Sequence, residues 1–148
     1  MPIRFFYEGV DFKISHPVKV KNWIKQSVDK ERREVSQVNY IFCLDKFLLD
    51  LNKEYLNHNT LTDIITFDNS KGRLIDGEIY ISIERVAENS LMYGTEITDE
   101  LHRVMIHGIL HLCGYRDKSA SEKTLMRKKE DAYLSLHKRL FHVKRKSR

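Results

Sequence analysis

The spacing of the apolar residues changes period repeatedly along this 148-residue chain, and that alternation limits the folds open to it. Strand-like segments carry apolar residues at every second position, helical segments at every third or fourth. IRFFYE (3–8) is apolar and aromatic and reads as a first strand. Residues 16–33 place Val18, Trp23, Ile24 and Val28 at helical spacing, with Pro17 near the start, where a missing N–H is tolerated. VSQVNYIFCLD (35–45) is β-branched and aromatic, a second strand, and DKFLLDLNKEYL (45–56) returns to helical spacing with Asp45 as candidate N-cap. TDIITF (62–67) and GEIYISI (77–83) read as strands on either side of a turn-forming NSKGR (69–73).

Three helical patterns complete the chain. Residues 84–94 close on Gly94; residues 97–114 open near Thr98, with Asp99 and Glu100 in the first turn, and end at Gly114; residues 119–141 are amphipathic. The order predicts an α+β fold: a single four-stranded mixed sheet with about five helices packed on it and the chemistry on a late helix. No linker or repeat interrupts it, so residues 1–148 read as one domain, with 142–148 a flexible basic tail.

Hydrophobic residues make up 41% and charged residues 32%, the balance of an ordinary soluble globular chain. No apolar run approaches the roughly 18 residues needed to span a bilayer, and the first residues lack the pattern of a secretory signal. Cys43 and Cys113 sit in apolar surroundings and read as buried, reduced thiols, which a reducing cytoplasm fits best.

The net charge of +5 is unevenly laid out. Residues 51–100 hold 4 basic and 10 acidic side chains, whereas 101–148 hold 13 basic and 4 acidic. A basic excess in the last third suggests a polyanionic partner, although a merely solvated face would have the same composition.

That last third also contains HGILHLCGYRD, His107 to Asp117. Residues i and i+4 of a helix share a face about 5–6 Å apart at Cβ, so His107 and His111 can present ring nitrogens to one ion. Gly114 lets the chain turn back and bring Asp117 to the same ion. Two imidazoles and one carboxylate with an open fourth position make a catalytic zinc site rather than a structural one. Two unshared histidines on an apolar helix are the plainer alternative, but each buried ring nitrogen would then need a separate partner. The position after the first histidine, where zinc proteases of the H-E-x-x-H kind keep their general base, is Gly108. That argues against a protease and leaves room above the metal.

The run resembles the H-G-x-L-H-L-x-G-Y-D-H motif of the YbeY family, metal-dependent endoribonucleases of rRNA maturation. LNKEY (51–55), TDIITF (62–67) and GEIYIS (77–82) are similar to that family's ordered segments, and Met126 and Glu130 fit its M-x-x-x-E. The resemblance implies a zinc-dependent, single-strand-directed endoribonuclease acting on 16S rRNA in ribosome biogenesis, with RNA and the ribosome or its proteins as partners. It also implies three zinc-binding histidines, of which His107 and His111 are two, while Asp117 stands in the place of the third. The family's arginine after L-N-x-x-Y is here Leu56, and the proline before T-D is Leu61.

On this reading His107, His111 and Asp117 hold the metal, Tyr115, Arg116, Arg73 and Lys118 are candidates for binding RNA, and Asp63, Asp76 and Glu78 are candidates for proton transfer. Another divalent ion is possible because Asp117 replaces a histidine. Two other readings remain open: a non-catalytic ribosome-associated factor with a structural metal, and a zinc hydrolase of some other substrate.

Overall fold

The computed structural model describes residues 2–56 and 62–146, with side chains over 2–55 and 62–141. Its elements run β1 (Ile3–Tyr7), α1 (Pro17–Lys30), β2 (Glu34–Cys43), α2 (Asp45–Leu56), β3 (Ile64–Asp68), β4 (Leu74–Ser82), α3 (Ile83–Tyr93), α4 (Ile97–Leu112) and α5 (Ala120–Lys146). Among the described residues the expected α+β fold, with five helices and a single four-stranded mixed sheet, is what forms.

The sheet order is β1-β2-β4-β3. β1 and β4 both run parallel to β2, and β3 is antiparallel to β4. Local chain chemistry explains the mixture. A parallel neighbour needs a long crossover, which α1 supplies between β1 and β2, whereas the short turn through Gly72, at φ 58°, suffices to fold β3 back on β4.

Alternation along β2 and β4 sets the two sheet faces. Val38, Tyr40 and Phe42 with Ile75, Ile79 and Ile81 bury against α1, α4 and α5 in the main core. The Tyr40 hydroxyl donates to the Met105 carbonyl of α4 at 2.9 Å, and the Trp23 indole N–H of α1 to the Tyr133 carbonyl of α5 at 2.8 Å. Both aromatic residues therefore bury their rings without leaving a polar atom unpaired. Cys43, Leu48 and Ile65 form a smaller cluster on the other face, beneath α2. Both cysteines are free and buried.

Helix ends follow side-chain chemistry that periodicity misses. The Ser82 hydroxyl accepts from the Arg85 amide and caps α3. Ser119 and Glu122 bond reciprocally to each other's backbone N–H at 3.2 and 2.9 Å, a capping box that starts α5. Asp45 opens α2 as expected, but its carboxylate accepts from the Ser82 hydroxyl at 2.6 Å and from Arg85 Nε at 3.2 Å. α4 starts from Glu96 with no side-chain cap, so Thr98 lies inside the helix. The backbone of α5 stays helical to Lys146, past the expected end at 141. Among the described residues no helix is long and apolar enough to cross a membrane.

Candidate metal centre

α4 is apolar on most of its circumference, with Val104, Met105, Ile106, Ile109, Leu110 and Leu112 all buried. Its half-buried side chains include His107 and His111, one turn apart on the side that opens to solvent. The helix ends in a Schellman motif: the Tyr115 amide reaches the Leu110 carbonyl at 3.0 Å and the Gly114 amide reaches that of His111 at 2.9 Å. Gly114 adopts φ 101°, a conformation open to glycine, and the chain reverses. Asp117 is thereby carried back over the two histidines.

The result is a compact triangle of donor atoms. His107 Nε2 and His111 Nε2 are 2.9 Å apart, and Asp117 Oδ2 lies 3.2 Å from the first and 3.7 Å from the second. An ion held at about 2.0–2.1 Å by tetrahedral donors would space them roughly 3.3–3.4 Å apart, and the three edges bracket that value. Among the described residues this is the one group of three or more such side chains near enough to share an ion.

Hydrogen bonding on the far side of each ring shows what the triangle requires. His111 Nδ1 faces the Tyr115 carbonyl at 2.9 Å, and a carbonyl only accepts, so the proton sits on Nδ1. His107 Nδ1 faces Glu130 Oε2 at 2.7 Å, which places its proton there too. Each neutral ring then aims a bare Nε2 lone pair at the other and at a carboxylate oxygen. With both rings neutral, three lone pairs converge within 3.7 Å and repel one another unless a proton or a metal ion sits among them, and the donor set suits zinc or a similar divalent ion.

The acidic surroundings of the triangle favour positive charge there. Burial opposes it, yet Glu130 on Nδ1, with Asp117 and Asp63 nearby, raises the His107 imidazole above its usual range. His111 goes the other way, lowered by burial and by His107 beside it. Burial works against ionising Glu130, but the hydrogen bonds from His107 and Arg103 hold its carboxyl below the usual range.

The triangle lies in an open cleft of about 1180 Å³. Arg116, Lys118 and Arg127 line it, as do Asp63, Asn89 and Tyr93. Arg116 and Lys118 are exposed, whereas Arg103, also in the cleft, is engaged by Glu130 and Asp131 at 2.8 Å each. Burial raises the Asp63 carboxyl above its ordinary range.

The other candidates are distributed differently. Asp76 and Glu78 alternate with buried Ile75, Gly77 and Ile79, so they face away from α4 and do not line the cleft. Arg73 is outside the cleft lining, its guanidinium Nε donating to the Arg32 carbonyl at 3.2 Å. Tyr115 lines the cleft, but its hydroxyl donates to Glu31 at 2.6 Å. Gly108 does not leave room above the metal as expected: a Cβ there would meet Ile79 at 2.9 Å and Ile64 at 3.0 Å, so it admits the sheet. The Leu56 side chain and Leu61 lie outside the described residues. Sequence reasoning assigned no role to Glu31 or Arg103 and gave none to Glu130 beyond its match to a motif. Charged residues in amphipathic helices look solvent-facing until the packing partner is known.

Fold and cluster together define an α+β domain with a two-histidine, one-aspartate group that could hold a cation in an open cleft. The sequence model of the endoribonuclease YbeY family matches residues 9–138, and the chain belongs to that family. A protein of Flavobacterium psychrophilum named Endoribonuclease YbeY is 51% identical over 142 residues, covering 96% of this chain and 98% of that one. One of the same name from Cytophaga hutchinsonii is 47% identical over 138 residues, 92% of this chain and 96% of that one. Among solved structures, the solution structure of TM1509 from Thermotoga maritima superposes with a TM-score of 0.64 at 27% identity, over 98% of this chain and 92% of that one.

Proposed function

We propose that this protein is a zinc-dependent endoribonuclease that cleaves single-stranded RNA during 16S rRNA maturation, in the cytoplasm and in association with the ribosome. The observation that carries the metal reading is the convergence of His107 Nε2, His111 Nε2 and Asp117 Oδ2, three lone pairs with their protons directed elsewhere. The name borne by the relatives supports RNA as the substrate.

The three donors would hold a divalent ion with one face open to the cleft. Such an ion polarises a phosphoryl oxygen and lowers the pKa of bound water. The chain's own residues do the rest. Glu130 and the Tyr115 carbonyl fix the tautomers that present both Nε2 atoms to the ion. Arg116, Lys118 and Arg127 hold phosphates along the strand, and the exposed Tyr93 ring offers a face for an unstacked base. Asp63, whose carboxyl burial raises above its ordinary range, is the proton-transfer candidate that lines the cleft. Asp117 leaves a zinc site one unit less positive than a third histidine would.

The test is cleavage of a labelled single-stranded fragment of 16S rRNA and of its duplex by zinc-loaded protein, with the His111→Ala variant alongside. Cleavage confined to the single strand and lost in the variant supports the proposal. An intact RNA with tight binding would favour a non-catalytic ribosome-associated factor instead.

A further inference from the structure

The hydrogen bonds that shape the ligand triangle continue out of the cleft to a turn far away in sequence. Asp117 and the Tyr115 carbonyl that orients His111 both belong to the short connection between α4 and α5. The Tyr115 hydroxyl donates to Glu31 Oε1 at 2.6 Å, across 84 residues of chain. Glu31 is the C-cap residue of α1. Its other oxygen, Oε2, accepts the Tyr133 hydroxyl and, at 3.1 Å, the Lys129 ammonium, both from α5.

Two residues on, Arg33 grips the same region. Its Nη2 donates to the Cys113 carbonyl at the end of α4 and its Nη1 to the Gly72 carbonyl, each at 3.0 Å. Arg32, between them, has φ 59°, a left-handed conformation that strains a non-glycine residue. The strained turn sends two flanking side chains of opposite charge onto one stretch, Cys113 to Tyr115.

We infer that the turn between α1 and β2 is a positioning platform for the metal ligands, with Glu31 acting through Tyr115. The inference rests on the metal reading of His107, His111 and Asp117. The connection from α4 is too short to absorb a displaced Tyr115. Moving that residue shifts the carbonyl that sets the His111 ring on one side and Asp117, two positions on, on the other. Metal sites lose affinity when donors stray by about 0.5 Å, so an anchor on Tyr115 controls two of the three ligands. Tyr133 reaches Glu31 from α5 but itself touches none of the three ligands, which separates positioning from general stability.

The experiment titrates Co2+ into metal-free, full-length protein and follows its visible absorption, which reports coordination geometry, alongside thermal unfolding of each variant. Tyr115→Phe and Glu31→Ala should each weaken Co2+ binding about 10–100-fold, the range for outer partners of metal ligands, and alter the spectrum. Because they lie on one path, the double variant should lose little more than either single one. Tyr133→Phe should lower the unfolding temperature while keeping wild-type affinity and spectrum. Should Glu31→Ala fail to fold, Tyr115→Phe decides alone. Folded Tyr115→Phe with wild-type affinity and spectrum overturns the inference while leaving the metal site standing. Wild-type protein that takes up no Co2+ overturns the metal reading and this inference with it.

Discussion

Glu130 on α5 accepts a hydrogen bond from His107 Nδ1 on α4 across 2.7 Å. Its other oxygen accepts from the Arg103 guanidinium at 2.8 Å, and only 6% of the residue is exposed. A buried carboxylate thus holds a candidate ligand by its back edge, fixing both tautomer and ring plane.

Replacing Glu130 by glutamine should therefore weaken zinc binding about 10–100-fold while His107 itself is intact. Competition with a chromophoric chelator measures it. An unchanged dissociation constant would show that Glu130 serves only to join α4 to α5.

Asp117 supplies a negative charge where a histidine would be neutral. An Asp117→His variant should raise the charge at the site, make metal-bound water more acidic and move the pH optimum of RNA cleavage downward. Identical pH profiles and metal preferences for the two proteins would contradict this.

His102, on the buried side of α4, gives a pH dependence separate from the metal. Burial, with His137 at a ring distance of 4.2 Å, pushes its imidazole down to about 3. Asp99, Glu100, Arg103, Asp131 and Lys138 share the small cavity beside it. Its folded pKa lies below the ordinary 6.5, so the unfolded chain takes up the proton first as the medium is acidified. The sign is a loss of stability as pH falls from about 6.5 toward 3, by up to about 1.4 kcal/mol per pH unit for this group. Thermal unfolding of His102→Leu between pH 7 and pH 4.5 should decline less steeply than wild type.

Two glycines admit neighbours at very different tolerance. A Cβ on Gly77 would lie 2.3 Å from the Phe67 carbonyl oxygen, whereas one on Gly108 would meet side-chain carbons of Ile79 and Ile64 at 2.9 and 3.0 Å. Backbone must shift in the first case; in the second, buried isoleucine side chains must give way, and alanine's helix propensity offsets about 1 kcal/mol of that cost. Gly77→Ala should lower the unfolding temperature more than Gly108→Ala.

Periodicity located all nine elements of the described residues, because the two-residue and 3.6-residue patterns come directly from which face is buried. β4 illustrates its limit: it begins at Leu74 rather than at 77, since pairing with β2 extends the strand through Asp76. The pairing of His107 and His111 was legible because helix geometry sets it locally, and Asp117 followed from Gly114 and a count of residues. Glu31 was not legible: it reaches Tyr115 only through the packing of α1 on α5, and nothing in KERRE marks one charge as inward-facing. Gly108 misled for a related reason, since local sequence does not say which flank of α4 meets the sheet.

Metal content tests the central claim most directly. Untagged protein purified without added metal, analysed for elements beside His111→Ala, should carry about one zinc per chain, in keeping with the open three-ligand site, and the variant should carry none. Metal-free wild-type protein that stays metal-free on incubation with zinc would contradict it.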